Sequence, residues 1–239
     1  MPLEWITCKV EKIINETPTV KRFWLAFEHS FQFTAGQFIT FDLPISEKKN
    51  KRMKSYSIAS APDGGNIIEL VIVVVPEGEG GSLFLFNEVE VGSVLTVRGP
   101  IGLFVLPEVL PNSIYLIATG TGIAPFRSFI LDLKNKGILY TSIHLLFGTR
   151  TEADLLYYNE MKELSATLIN FHYTPVLSRA DAHWQGERGY VHTAYERLCA
   201  AQPDAIFYLC GWKNMIDEAR QRIANLGYSK EAVHFEIYG

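Results

Sequence analysis

The residues best suited to chemistry in this sequence form a short glycine turn, Gly120-Thr121-Gly122. An apolar run at 114–118 precedes the turn, and a helical pattern containing Pro125 in its first turn follows it. A strand, a glycine turn and a helix N-terminus together present backbone N–H groups and a positive dipole end to a phosphate. Proline suits the first helical turn because its missing N–H would have no partner there. The pattern therefore predicts a nucleotide-binding turn.

The elements that must position this turn fall into two halves. Residues up to about 107 show short β segments separated by turns and one short helix at 82–87, which is typical of a closed antiparallel barrel. From about 112, five apolar strands alternate with helical stretches, and this alternation predicts a parallel sheet with helices on both faces. The expected strands are 114–118, 142–147, 170–177, 206–210 and 233–237, and the expected helices are 125–136, 153–164, 193–201 and 215–226.

Composition excludes several functional classes. The chain has 239 residues and a net charge of −4, which argues against nucleic-acid binding as the main role. We see no secretory signal and no apolar run long enough for a membrane span, so a soluble, cytoplasmic protein is expected. Three scattered cysteines fit a reducing compartment, and they are too few for the four thiolates of a usual iron–sulfur cluster. The six histidines show no metal-ligand spacing.

Six motifs follow one another along the chain: Lys54-Ser55-Tyr56-Ser57-Ile58-Ala59-Ser60, Gly80-Gly81-Ser82, Arg98-Gly99-Pro100-Ile101-Gly102-Leu103-Phe104, the glycine turn, Tyr208-Leu209-Cys210-Gly211 followed by Met215, and Glu236-Ile237-Tyr238-Gly239. In this order and spacing they resemble the ferredoxin–NADP(+) reductase family of flavoenzymes over nearly the whole chain. The resemblance implies an FAD-binding, six-stranded antiparallel Greek-key β-barrel at 1–107. It further implies an NAD(P)-binding α/β domain, with the five-stranded parallel sheet, at 112–239.

On the flavin side, the resemblance implies that Tyr56 and Ser57 contact FAD. The tyrosine supplies an aromatic face, and the serine hydroxyl donates to the ring nitrogen that accepts hydride. Lys54 stands where the family usually has arginine, so the pyrophosphate contact keeps its charge but loses the bidentate fork unless Arg52 compensates. Gly80-Gly81-Ser82 is the second phosphate contact. A plain strand edge and a plain helix N-cap are the alternative interpretations.

On the nicotinamide side, the resemblance implies that Gly120, Thr121, Gly122 and Pro125 hold the dinucleotide. The turn lacks a third glycine, and Arg150 follows the second strand where an NAD-binding fold has an acid. In NADP-using members, residues matching four positions surround the 2′-phosphate and adenine: Ser178, Arg179, Arg188 and Tyr190. Arginine suits a phosphate because of its planar fork, so NADPH is favoured over NADH. Ordinary solvent-exposed arginines are the alternative.

The last two motifs complete the implied site. In the family, the cysteine matching Cys210, followed by Gly211, lies beside the hydride-bearing carbon. The glutamate matching Glu236 takes part in proton or hydrogen-bond exchange, and the tyrosine matching Tyr238 stacks on the flavin. Gly239 displaces the terminal carboxylate, so the stacking of Tyr238 stays open. A buried cysteine and an ordinary C-terminal strand are the alternatives.

Five basic residues precede the flavin motif: Lys48, Lys49, Lys51, Arg52 and Lys54. This basic cluster is either a solvated loop or a docking patch for an acidic ferredoxin or flavodoxin.

The sequence thus predicts an FAD-dependent oxidoreductase that transfers hydride between NADPH and flavin, and single electrons to or from a separate ferredoxin or flavodoxin. Two alternatives remain. One is an NADH-dependent reductase component of an oxygenase, and the other is a non-catalytic flavin- and nucleotide-binding subunit of a redox complex.

Overall fold

A computed structural model describes residues 4–199 and 204–238. The chain divides into two compact units. The first unit runs to Val105 and also takes in Arg127–Asp132, and the second contains Leu106–Phe126 and the chain from Leu133 onward. Among the described helices, none has the length and apolar composition needed to cross a membrane.

The first unit is built on an antiparallel sheet with two short helices. Its elements are β1 (Ile6–Thr17), β2 (Val20–Phe27), β3 (Phe38–Asp42), α1 (Lys49–Arg52), β4 (Met53–Ser57), β5 (Ile67–Val73), α2 (Gly81–Asn87) and β6 (Val94–Ile101). The strand order is β4-β3-β6-β1-β2-β5. An antiparallel bridge between Ile58 and Leu70 joins the two ends, so the sheet closes into a barrel. The predicted six-stranded antiparallel barrel is confirmed.

Alternating side chains make this barrel. Along β2, Phe23, Leu25 and Phe27 are buried while the residues between them are partly exposed. Such a period of two places apolar side chains on the inner face of a strand. They pack with residues of the other strands, including Ile39 and Leu70, into one hydrophobic core.

The second unit is a parallel sheet flanked by helices. Its elements are β7 (Ser113–Thr119), α3 (Ile123–Lys136), β8 (Ile143–Thr149), α4 (Tyr158–Thr167), β9 (Phe171–Leu177), β10 (Glu187–Arg188), α5 (Val191–Cys199), β11 (Ala205–Trp212), α6 (Lys213–Asn225) and β12 (Val233–Tyr238). The strand order is β10-β9-β8-β7-β11-β12, and every neighbouring pair is parallel. The predicted α/β fold is confirmed.

Three details differ from the sequence-based expectation. The described sheet has six strands instead of five, because the two-residue β10 pairs with the end of β9. The helix predicted at 153–164 is broken, since Tyr157 has φ +54° and separates a 3-10 turn at Glu152–Asp154 from α4. The short helix α1 was not predicted at all. Residues 200 and 201 of the predicted helix 193–201 lie outside the described residues.

Candidate functional site

Tyr56 and Ser57 lie at the carboxyl end of β4, paired with Ile39 and Phe38 of β3. The Tyr56 ring makes an edge contact with Phe41, with ring centres 5.8 Å apart. Burial raises the pKa of the Tyr56 phenol, so the side chain stays neutral at physiological pH. Ser57 is buried. The barrel therefore holds a fixed aromatic ring and a neighbouring hydroxyl at one strand end.

Lys54 and the Gly80-Gly81-Ser82 turn come together in the same unit. A Cβ atom on Gly81 would lie 2.5 Å from Cγ of Lys54, so a larger residue there would displace the lysine stem from the start of α2. Lys54 forms an ion pair with the exposed carboxylate of Glu79. The Ser82 hydroxyl accepts the Val75 N–H at 3.0 Å. The arrangement puts a cation, a helix start and a hydroxyl side by side, as a phosphate contact requires.

The basic cluster is only partly available to a partner. The Arg52 guanidinium pairs with Asp42 at 2.7 Å, and Lys54 pairs with Glu79. Lys48, Lys49 and Lys51 are exposed on or beside α1. The surface of this cluster therefore presents three lysine charges to solvent.

Arg98, which begins the third of the six motifs, contacts two other parts of the first unit. Arg98 lies over the Trp5 ring, with its guanidinium carbon 5.0 Å from the ring centre. Its Nη2 also contacts the Met53 sulfur at 3.6 Å. These contacts connect Arg98 of β6 with Trp5 and with Met53 at the start of β4.

The glycine turn lies where the strand order of the second unit reverses. β7 has β8 on one side and β11 on the other, and ligands of open α/β sheets bind outside such a switch point. A Cβ atom on Gly122 would lie 2.2 Å from the Cys210 carbonyl oxygen. Only glycine therefore allows the turn to pack against the end of β11. Pro125 lies in the first turn of α3, as predicted.

Cys210, Glu236 and Tyr238 come together at the carboxyl ends of β11 and β12. Cys210 is the parallel-register partner of Glu236. Burial raises the pKa of the Cys210 thiol well above its ordinary value, and the Glu236 charge raises it further, against a hydrogen bond with Tyr238 that lowers it. The sulfur is therefore a neutral thiol at physiological pH and a poor nucleophile.

Arg150 and Arg179 follow two neighbouring strands, β8 and β9. The Arg179 N–H donates to the Arg150 carbonyl at 2.7 Å, and the Ser178 N–H donates to the Thr149 carbonyl at 3.0 Å. The two arginine backbones are therefore locked side by side at one edge of the sheet. The nearby Asp154 carboxylate is occupied by the Thr151 hydroxyl and N–H in a capping box.

Arg188 and Tyr190 lie further along the same edge. The Arg188 guanidinium donates to the carbonyl oxygens of Asp181 and Trp184 at 2.8 and 2.7 Å, so it braces the loop after β9. Tyr190 is 73% exposed and has an aromatic face open to a ligand.

Trp212 lies beside the predicted site residues but was not among them. It follows Gly211 at the end of β11, is 48% exposed, and brings its indole nitrogen to 3.6 Å from where a Gly120 Cβ would stand. The backbone N–H of Trp212 donates to the Thr119 hydroxyl at 3.3 Å. An aromatic residue directly after a Cys-Gly strand end was the available signal.

Comparisons with known proteins identify both halves of the chain. Residues 7–106 match the model of an oxidoreductase FAD-binding domain, and residues 116–221 match an oxidoreductase NAD-binding domain. The chain is 35% identical to ferredoxin–NADP reductase B of Sorangium cellulosum over 225 residues, which cover 90% of each protein. It is 32% identical to the reductase component of phenol 2-monooxygenase from Pseudomonas sp. strain CF600, over 91% of this chain.

The chain spans only 61% of that monooxygenase component. Among solved structures, a cytochrome P450 reductase from Amycolatopsis superposes with a TM-score of 0.86 at 24% identity, over 99% of this chain and 70% of that one. This structural likeness shows the shared fold. The two domain matches and the 35% identity to the Sorangium reductase show the family as well as the fold. FAD and NAD(P)H are accordingly the cofactors, and this chain is an enzyme that belongs to the ferredoxin–NADP(+) reductase family of oxidoreductases.

Proposed function

We propose that this enzyme oxidises or reduces NADP(H) through FAD and exchanges single electrons with a separate ferredoxin or flavodoxin. The observation that carries the choice of NADPH is the arginine pair, Arg150 and Arg179, locked at the ends of β8 and β9. The 90% mutual coverage with a ferredoxin–NADP reductase supports the proposal.

The arginine pair fits a 2′-phosphate better than a bare ribose. An NAD-specific site places a carboxylate at the end of the second strand, where it accepts hydrogen bonds from the ribose hydroxyls. Here Arg150 occupies that end, and Asp154 is already engaged with Thr151. A planar guanidinium donates two parallel hydrogen bonds to phosphate, and a second cation beside it strengthens the attraction.

Binding of 2′,5′-ADP and 5′-AMP to Arg179→Ala tests this assignment. We expect 2′,5′-ADP to lose about tenfold or more in affinity, since a charge-assisted contact is lost, and 5′-AMP to bind almost unchanged. Arg220→Ala on α6 is the matched control, because Arg220 is also exposed but packs on Phe235. Equal losses for both ligands would refute the 2′-phosphate assignment.

In the barrel, we assign FAD contacts to Tyr56, Ser57, Lys54 and the Gly80-Gly81-Ser82 turn. FAD supplies the chemistry that accepts a hydride and releases electrons one at a time. Tyr56 offers a neutral aromatic face, and the adjacent Ser57 hydroxyl donates to the hydride-accepting nitrogen. Without FAD, Lys54 pairs with the exposed carboxylate of Glu79. The pyrophosphate of FAD replaces this carboxylate as the partner of Lys54 at little cost, because the carboxylate then returns to water.

In the second unit, Gly120, Thr121, Gly122 and Pro125 hold the nicotinamide nucleotide, and Cys210 with Gly211 borders its reactive ring. The neutral Cys210 thiol shapes the site without competing as a nucleophile. Glu236 is the register partner of Cys210 on β12, and its charge and the Tyr238 hydroxyl both act on that thiol. Ser178, Arg188 and Tyr190 complete the adenine and 2′-phosphate end, with Arg188 acting by bracing the loop.

The basic cluster is the surface proposed for an acidic electron carrier. Three exposed lysines, Lys48, Lys49 and Lys51, supply its free charge, because Arg52 and Lys54 are paired within the unit. Reversing these three charges should slow reduction of an acidic ferredoxin at low salt and have little effect at high salt, where charges are screened. An unchanged salt dependence would remove the cluster from this role.

A second candidate function is that of an NADH-dependent reductase component of an oxygenase. The 32% identity to the phenol 2-monooxygenase reductase component favours it. The two functions differ in the preferred nicotinamide, so hydride transfer from NADH and NADPH separates them.

A further inference from the structure

A buried charge network lies beside the flavin motif. Arg127, on α3, is only 8% exposed, and its Nη1 donates to the Glu69 carboxylate at 3.0 Å. The same nitrogen donates to the carbonyl of Ala59 at 2.8 Å. Glu69 is 4% exposed, so the ion pair is shielded from water. A shielded pair of this kind is costly to break, because the remaining partner keeps an uncompensated charge.

Glu69 also pairs with a second arginine. Arg22 donates from Nε to Glu69 at 2.6 Å and contacts Glu16 at 3.2 Å. Two arginines and two glutamates thus balance one another within the barrel unit. This balance explains how the buried Glu69 and Arg127 are tolerated away from water.

Backbone hydrogen bonds and the Arg127 side chain together hold the backbone that follows Ser57. The Ile58 N–H donates to the Gln37 carbonyl at 3.0 Å, and the Ala59 N–H donates to the Glu69 carbonyl at 2.8 Å. These bonds tie the segment to its neighbours within the barrel. The Ala59 carbonyl, in contrast, accepts from Arg127, which belongs to a helix far along the chain.

Ser60 repeats this arrangement. Its hydroxyl accepts the Glu69 N–H at 3.0 Å. Its carbonyl accepts the hydroxyl of Ser128, which is fully buried, at 2.6 Å. Two consecutive carbonyls, of Ala59 and Ser60, are therefore held by two consecutive side chains of α3.

We propose that Arg127 and Ser128 are positioning residues for the flavin-binding segment. By fixing the carbonyls of Ala59 and Ser60, they set the path of the chain after β4. That path in turn sets the orientation of the Ser57 hydroxyl, which lies two residues before Ala59. The inference rests on the proposed placement of FAD at Tyr56 and Ser57.

Ser128→Ala tests the proposal with the smallest change. Alanine keeps the helix and removes only the hydroxyl that holds the Ser60 carbonyl. In FAD-free protein we expect hydrogen exchange at residues 58–60 to accelerate about fivefold to tenfold, and FAD affinity to fall by a similar factor. Ser165→Ala is the matched control, because Ser165 on α4 likewise donates to a backbone carbonyl, that of Phe171.

Arg127→Lys and Arg127→Met give a second readout. Lysine keeps a charge opposite Glu69 and methionine does not, so FAD affinity should fall further with methionine than with lysine. We expect the visible circular dichroism of bound flavin to change in the same order.

Wild-type exchange at 58–60 in Ser128→Ala, or an equal loss of FAD affinity in Ser165→Ala, would overturn the proposal.

Tyr56→Ala distinguishes this failure from a failure of the proposed FAD placement. If Tyr56→Ala leaves FAD affinity unchanged, the placement itself is wrong, and the positioning role toward flavin is overturned with it. If Tyr56→Ala weakens FAD binding while the Arg127 and Ser128 variants bind normally, only the positioning role is overturned.

Discussion

Gly122→Ala is the sharpest test of how the glycine turn is built. Gly122 has φ −61°, an ordinary value for alanine, so the substitution adds no backbone strain of its own. The added Cβ would lie 2.2 Å from the Cys210 carbonyl oxygen and 2.8 Å from the Gly211 nitrogen. Both are backbone atoms, which cannot rotate away as the end of a side chain can.

The size of the effect follows from these distances. Relaxing the contact to an ordinary separation near 3.5 Å requires the turn to move by about 1 Å. Overpacking of this kind lowers the free energy of unfolding by about 1–3 kcal/mol. A shift of about 1 Å in the N–H groups that we propose bind the nucleotide phosphate should weaken NADPH binding by about tenfold or more.

The assay compares Gly122→Ala with Gly137→Ala. Gly137 ends α3 at φ +63° and has open space around its Cβ position, so alanine there costs about 1 kcal/mol of stability through backbone strain alone. Urea unfolding should show both variants to be destabilised, whereas NADPH titration should show a loss only for Gly122→Ala. NADPH affinity equal to wild type in Gly122→Ala would refute the close packing of the turn against β11.

Two further predictions concern single side chains. Ser57→Ala should retain FAD and slow hydride transfer by about tenfold to a hundredfold, as loss of a hydrogen bond to developing charge does, and wild-type rates in rapid mixing would remove Ser57 from that role. Burial lowers the pKa of His144 to about 4, with the stacked His172 adding to the effect. Between pH 6.5 and 4 the unfolded chain therefore binds a proton that the folded chain does not, and stability should fall as pH falls through this window. The full shift corresponds to about 3 kcal/mol, which partial exposure reduces to about 1–2 kcal/mol. His144→Gln should flatten that part of the stability–pH curve, and an unchanged slope would contradict the burial of His144.

Long apolar patterns made most of the fold predictable. The predicted strand 114–118 differs from β7 by one residue at each end, and the predicted helix 125–136 differs from α3 by two residues at its start. These elements bury one face or both, so their sequences carry a period that can be recognised. The glycine at the end of α3 adopts the left-handed conformation expected of a helix terminus.

The missed features depend on contacts that are distant in sequence or on local capping. The two-residue β10 has no apolar period and exists because Glu187 and Arg188 pair with Val176 and Leu177. The break before α4 follows from the Thr151–Asp154 capping box and the left-handed Tyr157. Local propensity favoured a continuous helix there.

The candidate site was predictable only as motifs. The sequence placed Cys210 and Glu236 in separate strands, and their neighbouring positions became apparent only from the register of β11 and β12. The sequence analysis did not single out Arg127, because its partner Glu69 is 58 residues away in the chain. Burial of a charge cannot be recognised in the sequence unless its partner is known.

Anaerobic rapid mixing of the FAD-loaded protein with NADPH or NADH tests the central claim most directly. The rate at which flavin absorbance bleaches reports hydride transfer, and its concentration dependence reports nicotinamide affinity. We expect the ratio of the limiting reduction rate to the dissociation constant to be higher for NADPH than for NADH, and Arg179→Ala to diminish that preference. Reduction by NADH as efficient as reduction by NADPH would contradict the proposed function and favour the NADH-dependent oxygenase reductase.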